Sequence, residues 1–179
     1  MKRVLLLGLL PAVLAFGQSG ETDIGEIAAY AGGVFGVGSH PAGGITFTSA
    51  LSRYTMFGAE LGFASLGSEG FRTPATSEVS RARLFDFNGH VHVRIPVRRY
   101  WEPYIAIGAG LLHSTAERIV TTPTGNTVED SSDNDFAFQI GGGLRYFIGQ
   151  KWGVRPEWKY YASERNFSKL SVGVFYQFP

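Results

Sequence analysis

The stretch Arg83-Leu84-Phe85-Asp86-Phe87-Asn88-Gly89-His90-Val91-His92-Val93-Arg94-Ile95 decides how this chain is read. Its odd positions from 85 are Phe85, Phe87, Gly89, Val91, Val93 and Ile95, and its even positions from 86 are Asp86, Asn88, His90, His92 and Arg94. A period of two with one apolar and one polar face is a β-strand lying between two unlike media. In a soluble sandwich the apolar face packs on a second sheet, whereas in a membrane barrel it meets lipid and the polar face lines a lumen. A soluble lipocalin-like barrel turns its apolar face inward and needs no lumen of charges.

The same alternation recurs on both sides of this stretch. Upstream, Ile45, Phe47 and Leu51 share one face, and Phe57, Ala59, Leu61 and Phe63 another, with Gly58, Glu60 and Gly62 opposite the second set. Residues 26–35 are small and apolar, and their inward face is ambiguous. His40-Pro41 with its neighbouring glycines reads as a turn. Downstream, Ile105, Ile107, Ala109 and Leu111 oppose Glu102, Tyr104, Gly108 and Gly110. Phe136, Phe138, Ile140, Leu144, Tyr146 and Ile148 alternate with Gln139, Gly141, Gly143 and Arg145. Trp152, Val154, Trp158 and Tyr160 alternate with Arg155, Glu157 and Lys159, and the last strand presents Leu170, Val172, Val174, Tyr176 and Phe178.

These segments predict an all-β fold, an antiparallel transmembrane up-and-down β-barrel of about eight strands of roughly ten residues, enough to cross a bilayer when tilted. The connections after the second, fourth and sixth strands are short. Those after the third and fifth, residues 67–81 and 115–134, are polar and read as long loops. Sorting of connections by rim is expected of an outer-membrane barrel, with both chain ends on the short-turn side. Pro103 and Pro156 fall inside expected strands, where each removes a ladder hydrogen bond, so a bulge or a rim position is expected for them.

Composition and the first residues bound the rest. The chain has 179 residues, no cysteine and a formal net charge of +1, which fits one domain without disulfides or thiolate metal sites and gives no electrostatic case for nucleic acid. Met1-Lys2-Arg3, an apolar run to Leu14 and then Ala15-Phe16-Gly17 form a signal peptide over residues 1–17, leaving the barrel domain at 18–179.

Trp101-Glu102-Pro103-Tyr104-Ile105-Ala106-Ile107-Gly108-Ala109-Gly110, Gln139-Ile140-Gly141-Gly142-Gly143-Leu144-Arg145-Tyr146 and the closing Ser171-Val172-Gly173-Val174-Phe175-Tyr176-Gln177-Phe178 resemble the small outer-membrane β-barrel proteins related to the OmpA transmembrane domain. The likeness lies in pattern and glycine placement over nearly the whole mature chain. It implies a monomer in the bacterial outer membrane, surrounded by outer-membrane lipid and lipopolysaccharide. It also implies insertion by the barrel-assembly machinery, guided by an aromatic-ended last strand. Phe178 matches that role, and Pro179 after it departs from the usual terminal aromatic. No peptidoglycan-binding domain is expected after the barrel.

The expected lumen holds Glu60, Asp86, His90, His92, Arg94, Glu102, Arg145, Arg155, Glu157 and Lys159. Acids and bases are mixed, so they can pair, and the up-and-down order brings Arg94 level with Glu102, Glu60 to the height of His90, and Arg145 near Arg155 and Glu157. An eight-stranded barrel is narrow enough for such side chains to fill. The expected role is therefore structural or adhesive, with a plugged lumen and no enzymatic activity. A narrow pore for ions or small solutes is the alternative, and a lipid-modifying enzyme a further one.

No cofactor is expected. His90-x-His92 could hold a metal if Glu60 or Asp86 supplied a third ligand. His113-Ser114 cannot act as base and nucleophile, because adjacent strand residues point to opposite faces. Residues 130–135 lack the calcium-loop pattern, and Gly141-Gly142-Gly143 lies mid-strand with no helix to make a phosphate cradle. Tyr100, Trp101, Tyr146, Trp152, Trp158, Tyr160 and Tyr176 are expected in interface girdles.

Overall fold

The computed structural model describes residues 24–36, 38–72, 77–95, 97, 100–122 and 125–179, with side chains for all of these except 68–72, 77–79, 122, 125 and 126. The expected export signal lies outside the described residues. Eight strands follow in chain order: β1 Gly25–Phe35, β2 His40–Ala50, β3 Thr55–Arg72, β4 Ser77–Arg94, β5 Trp101–Thr122, β6 Gly125–Phe147, β7 Trp152–Ala162 and β8 Phe167–Phe178. Each pairs antiparallel with the next, and β8 pairs back onto β1 to close the barrel.

The alternation of the sequence becomes the wall of the barrel. Phe85, Phe87, Val91, Val93 and Ile95 point outward and are exposed, while Asp86, Asn88, His90 and His92 between them are buried. At about 3.4 Å per residue and a tilt of about 40°, this outward row spans roughly 25 Å, the height of an outer-membrane apolar belt. Tyr54, Tyr100, Trp101, Tyr146, Trp152 and Tyr176 ring the short-turn rim, and Trp101 and Tyr146 meet edge to face at 5.0 Å. Phe63 against Phe85 and Phe136 against Phe138 mark the opposite edge of the belt.

Three parts of the chain differ from their sequence expectation. Residues 67–81 and 115–134 are mostly strand: β3 to β6 run on past the barrel as paired hairpins, with Arg72 opposite Ser77 and Thr122 opposite Gly125 at their far ends. With water on both faces there is no reason for polarity to alternate, so the period-two signal is lost. Pairing and β-branched residues such as Thr115, Ile119 and Val120 still make the ladder. The rims are therefore asymmetric in strand length more than in loop length. Secondly, His40-Pro41 opens β2, and the turn lies just before it, where Gly36 and Gly38 have φ of 108° and 103°.

Pro156, thirdly, makes no bulge. It faces outward, the β6–β7 ladder is interrupted between Gly143↔Glu157 and Tyr146↔Val154, and the register is the same on either side of the gap. Pairing of Pro156 with Val172 on β8 continues, so the missing N–H is absorbed on one side of the strand only. Pro103 lies near the short-turn rim, where its carbonyl accepts from the Ile95 N–H.

β2 stops pairing at Ala42↔Ala64 and β7 at Phe138↔Ala162. Beyond these points β3 to β6 stand clear of the barrel as a four-stranded sheet with two free edges. β3 changes register between Ser65 and Ser68 as it leaves the barrel, at a bulge where Gly67 has φ 95°.

Candidate functional site

All eight strands send a polar group into the lumen, and the sequence sets which. On β7, Arg155, Glu157 and Lys159 occupy successive inward positions with charges of alternating sign. β1 contributes Glu26, β2 Thr46, β3 Glu60, β4 Asp86 and Arg94, β5 Glu102, β6 Arg145 and β8 Lys169. Inward glycines make room for this. An added Cβ on Gly44 would collide with Tyr30, one on Gly143 with Tyr104, one on Gly62 with Asp86 and one on Gly141 with Lys159. Large side chains thus lie over small neighbours, the arrangement that fills a narrow barrel.

The charges join into one chain along the barrel axis. At the short-turn mouth Glu102 meets Arg94 at 3.3 Å and Arg145 at 2.8 Å. Arg145 also binds Glu26, and Glu26 accepts from Arg155 at 3.1 Å. Arg155 donates to Thr46 Oγ1 at 3.1 Å and lies 4.0 Å from Glu157. Glu157 meets Lys159 at 2.7 Å and accepts from the Tyr104 hydroxyl. Lys159 binds Glu60, which also takes Lys169 at 2.5 Å and the Tyr30 hydroxyl at 3.0 Å. Lys169 finally reaches Asp86 at 3.4 Å, and the Asn88 amide donates to Asp86 at 2.6 Å. Five carboxylates, Glu26, Glu60, Asp86, Glu102 and Glu157, are met by five cations, Arg94, Arg145, Arg155, Lys159 and Lys169. Formal balance matters here because a buried charge left unpaired costs several kcal/mol, roughly, even after relaxation.

Beyond the chain, at the end facing the extension, the lumen turns apolar. Val34, Ala64, Leu84, Leu112, Ala137, Tyr161 and Phe167 form one buried cluster, with Ala42 packed against it. Each of the eight strands supplies one of these residues, so the cluster is a complete collar. Tyr161 stacks on Phe167 at 4.5 Å.

The ten residues expected in the lumen all point inward, eight of them in the ion-pair chain. His90 and His92 stand apart from it, stacked on each other at 4.5 Å, with Tyr104 on the far side of His92 at 4.6 Å. Both ring nitrogens of His90 and Nε2 of His92 make no hydrogen bond to the protein. Glu60 and Asp86, the candidate third ligands for a His-x-His metal site, are engaged by lysines. Among the described residues, the grouping that could hold a metal is instead Asp133, Asp135 and Glu164, an acidic surface cluster without histidine. His113 Nδ1 lies 2.8 Å from Asn134 Oδ1, so its partner is that amide and not Ser114 or a carboxylate.

Glu26 and Lys169 were missed by the sequence reading. Lys169 carried a signal, since it takes the polar phase against Leu170 and Val172. Glu26 carried little, because the alanines and glycines after it give no contrast between faces. The collar had a signal too: Leu84 breaks the polar face of the deciding stretch, and Leu112 breaks alternation after Leu111.

A closed eight-stranded antiparallel barrel with an apolar outer belt and a polar interior defines the class of small transmembrane β-barrels. The chain belongs to the outer membrane protein beta-barrel domain family, which it matches over residues 6–178. No curated protein matches its sequence significantly. Among solved structures, the N-terminal β-barrel domain of Pseudomonas aeruginosa OprF is similar at 16% identity and a TM-score of 0.56, covering 88% of this chain and 98% of that one. A major outer membrane protein from Thermus thermophilus is similar at 12% identity and a TM-score of 0.61, covering 88% and 100%. Ail, the attachment invasion locus protein of Yersinia pestis, in complex with the heparin analogue sucrose octasulfate, is similar at 16% identity and a TM-score of 0.56, covering 88% and 100%. At these identities the likeness is one of fold. The chain is thus an outer-membrane β-barrel, and its place is the bacterial outer membrane.

Proposed function

We propose that this barrel has a structural and surface-interaction role, with a lumen that does not conduct and a working surface on the β3–β6 extension. The collar carries the first half of this proposal. A ring of apolar side chains from all eight strands, backed by a charge-balanced chain of ion pairs, leaves an ion neither a hydrated path nor an unpaired charge to enter against. The second half rests on the free edges. Residues 125–137 of β6 have no strand on their outer side, and the part of that edge beyond the belt presents backbone donors and acceptors to a partner. The likeness in fold to Ail, a structural neighbour with attachment in its name, supports this reading.

In this proposal residues 1–17 are the export signal and the mature chain is a monomer. The barrel-assembly machinery inserts it through β8, whose Phe178 closes over Gly25 of β1.

The test is single-channel conductance of the folded mature chain in planar bilayers. Silence from the natural sequence is expected. Discrete, reproducible steps from the natural sequence would make the lumen a narrow pore and end the plugged reading. Protease added to intact cells is expected to cut within the extension, and cleavage at the short-turn rim instead would invert the topology.

A further inference from the structure

The three short connections repeat one feature of sequence, a cation followed at once by an aromatic residue: Arg53-Tyr54 after β2, Arg99-Tyr100 after β4 and Lys151-Trp152 after β6. Tyr54, Tyr100 and Trp152 belong to the aromatic ring of the short-turn rim, where the apolar belt ends and headgroups begin. Arg53 and Lys151, each one residue further into its turn, therefore stand at the depth of the lipid phosphates.

Both turns are held in place by hydrogen bonds. Ser52 Oγ accepts from the Tyr54 N–H at 3.2 Å and the Thr55 N–H at 3.1 Å, and the Arg94 guanidinium donates to the Ser52 carbonyl at 2.8 Å. In the other turn the Ile148 and Gly149 N–H groups both donate to the Trp152 carbonyl at 3.1 Å, and the Gln177 N–H donates to the Lys151 carbonyl at 2.6 Å. The side chains of Arg53 and Lys151 are exposed and have no ion-pair partner among the described residues, and Arg53 lies 5.7 Å from the centre of the Tyr54 ring. The side-chain carboxylates near this end, Glu26 and Glu102, are turned into the lumen and held by arginines. We propose that this rim binds anionic phospholipid of the periplasmic leaflet, with Arg53 and Lys151 on the phosphates and the neighbouring rings against the glycerol.

The closed strand order favours a lipid over a compact partner. Between the two cations lie β3 to β6 in one direction and β7, β8, β1 and β2 in the other, so Arg53 and Lys151 stand on opposite sides of the barrel. One folded partner would have to span the barrel end to reach both, whereas a leaflet surrounds it. An anionic headgroup is preferred to a zwitterionic one, because the rim offers cations to the phosphate and, among the described residues, no outward carboxylate to an ammonium group. Holding phosphates on opposite sides also resists tilting of the barrel axis. The proposal goes beyond the one above and shares with it only the placement of the extension on the outer side.

Binding is measured by native mass spectrometry of the folded mature chain in detergent. The probes are phosphatidylglycerol and phosphatidylethanolamine with the same acyl chains. At about fivefold for each cation near an anionic surface, the natural chain is expected to prefer phosphatidylglycerol by about tenfold or more. Arg53→Gln with Lys151→Gln is expected to cut that preference by at least about fivefold. Arg165→Gln, in the turn between β7 and β8 on the opposite rim, is expected to leave it unchanged. Equal affinity for the two lipids, a preference kept by the double variant, or an equal loss from Arg165→Gln would overturn the proposal. So would displacement of phosphatidylglycerol by a soluble peptidoglycan fragment with free carboxylates, which would make the partner a periplasmic polymer. Resistance of each variant to unfolding by detergent at room temperature, read as gel mobility, verifies that it is folded. Conductance of the natural chain would sink the plugged lumen and leave these lipid results standing.

Discussion

β6 passes through two media, and it makes an ion pair in each. Near the short-turn rim its Arg145 binds Glu26, with both side chains 1% exposed, and Glu102 at 2.8 Å. In the extension its Glu129 meets Arg118 at 3.6 Å, with side chains 64% and 52% exposed. The chemistry is the same and the energetic meaning is not. In the lumen each charge has lost its water, so the partner is a condition of folding, whereas in the extension water replaces a lost partner at little cost. The difference teaches that the polar residues of this chain fall into two populations that composition alone does not separate.

The largest effect is expected where one group holds several others. Glu60→Gln removes the carboxylate shared by Lys159 and Lys169 and should cost about 3–5 kcal/mol, read as unfolding in urea from lipid vesicles. If the variant does not fold, Lys159→Met is the milder substitution, since Glu60 then keeps Lys169 and Glu157 keeps Arg155. Natural stability in both would mean that the lumen charges are hydrated and the contrast with the extension is false.

Gly143→Ala comes next, because its Cβ would collide with the Tyr104 hydroxyl and lie 2.8 Å from the Pro156 carbonyl oxygen. A loss of about 1–3 kcal/mol is expected from such overpacking, and a neutral result would show that Tyr104 can leave its place over the glycine.

Arg94→Leu sharpens the boundary between the two regions. The sequence alone suggests that it strands Glu102, but Glu102 keeps Arg145 at 2.8 Å, and the Arg94–Glu102 pair is 10% and 15% exposed. A loss of about 1 kcal/mol is expected, between the lumen and the extension. A cost equal to that of Glu60→Gln would move the buried regime out to the mouth. Arg118→Ala should be smallest, within about 0.5 kcal/mol, and a larger loss would mean that the extension is coupled to the barrel.

The barrel was legible because lipid and lumen impose opposite demands on alternate residues. Wherever both media are present, as from Phe85 to Ile95, the inward and outward faces follow from the sequence. Where the contrast fails, so does the inference. The alanines and glycines of β1 hide Glu26, and the doubly solvated hairpins of residues 67–81 and 115–134 look like loops. Pairing between charges was legible only in part. Level placement put Arg94 beside Glu102, but Arg145 near Arg155 brings two cations together, and what satisfies both is Glu26 from β1, invisible at that stage. The histidines read as polar lumen because they share a face with Asp86, yet the acids on that face answer to lysines.

The closure of β8 on β1 has a consequence for how the protein comes into being. Every other pairing joins strands that follow one another in the chain, so each can form as a hairpin while the sheet is still open. Glu26, however, finds Arg145 and Arg155 at sequence separations of 119 and 129, across the seam. Before the seam shuts, these groups stand near opposite margins of an open sheet, with Glu26 far from both of its arginines. Shutting it neutralises them together, so the last step of biogenesis is also the one that makes the interior electrically quiet. Completion is thereby marked by chemistry within the barrel, and a half-built one carries an internal sign that it is unfinished.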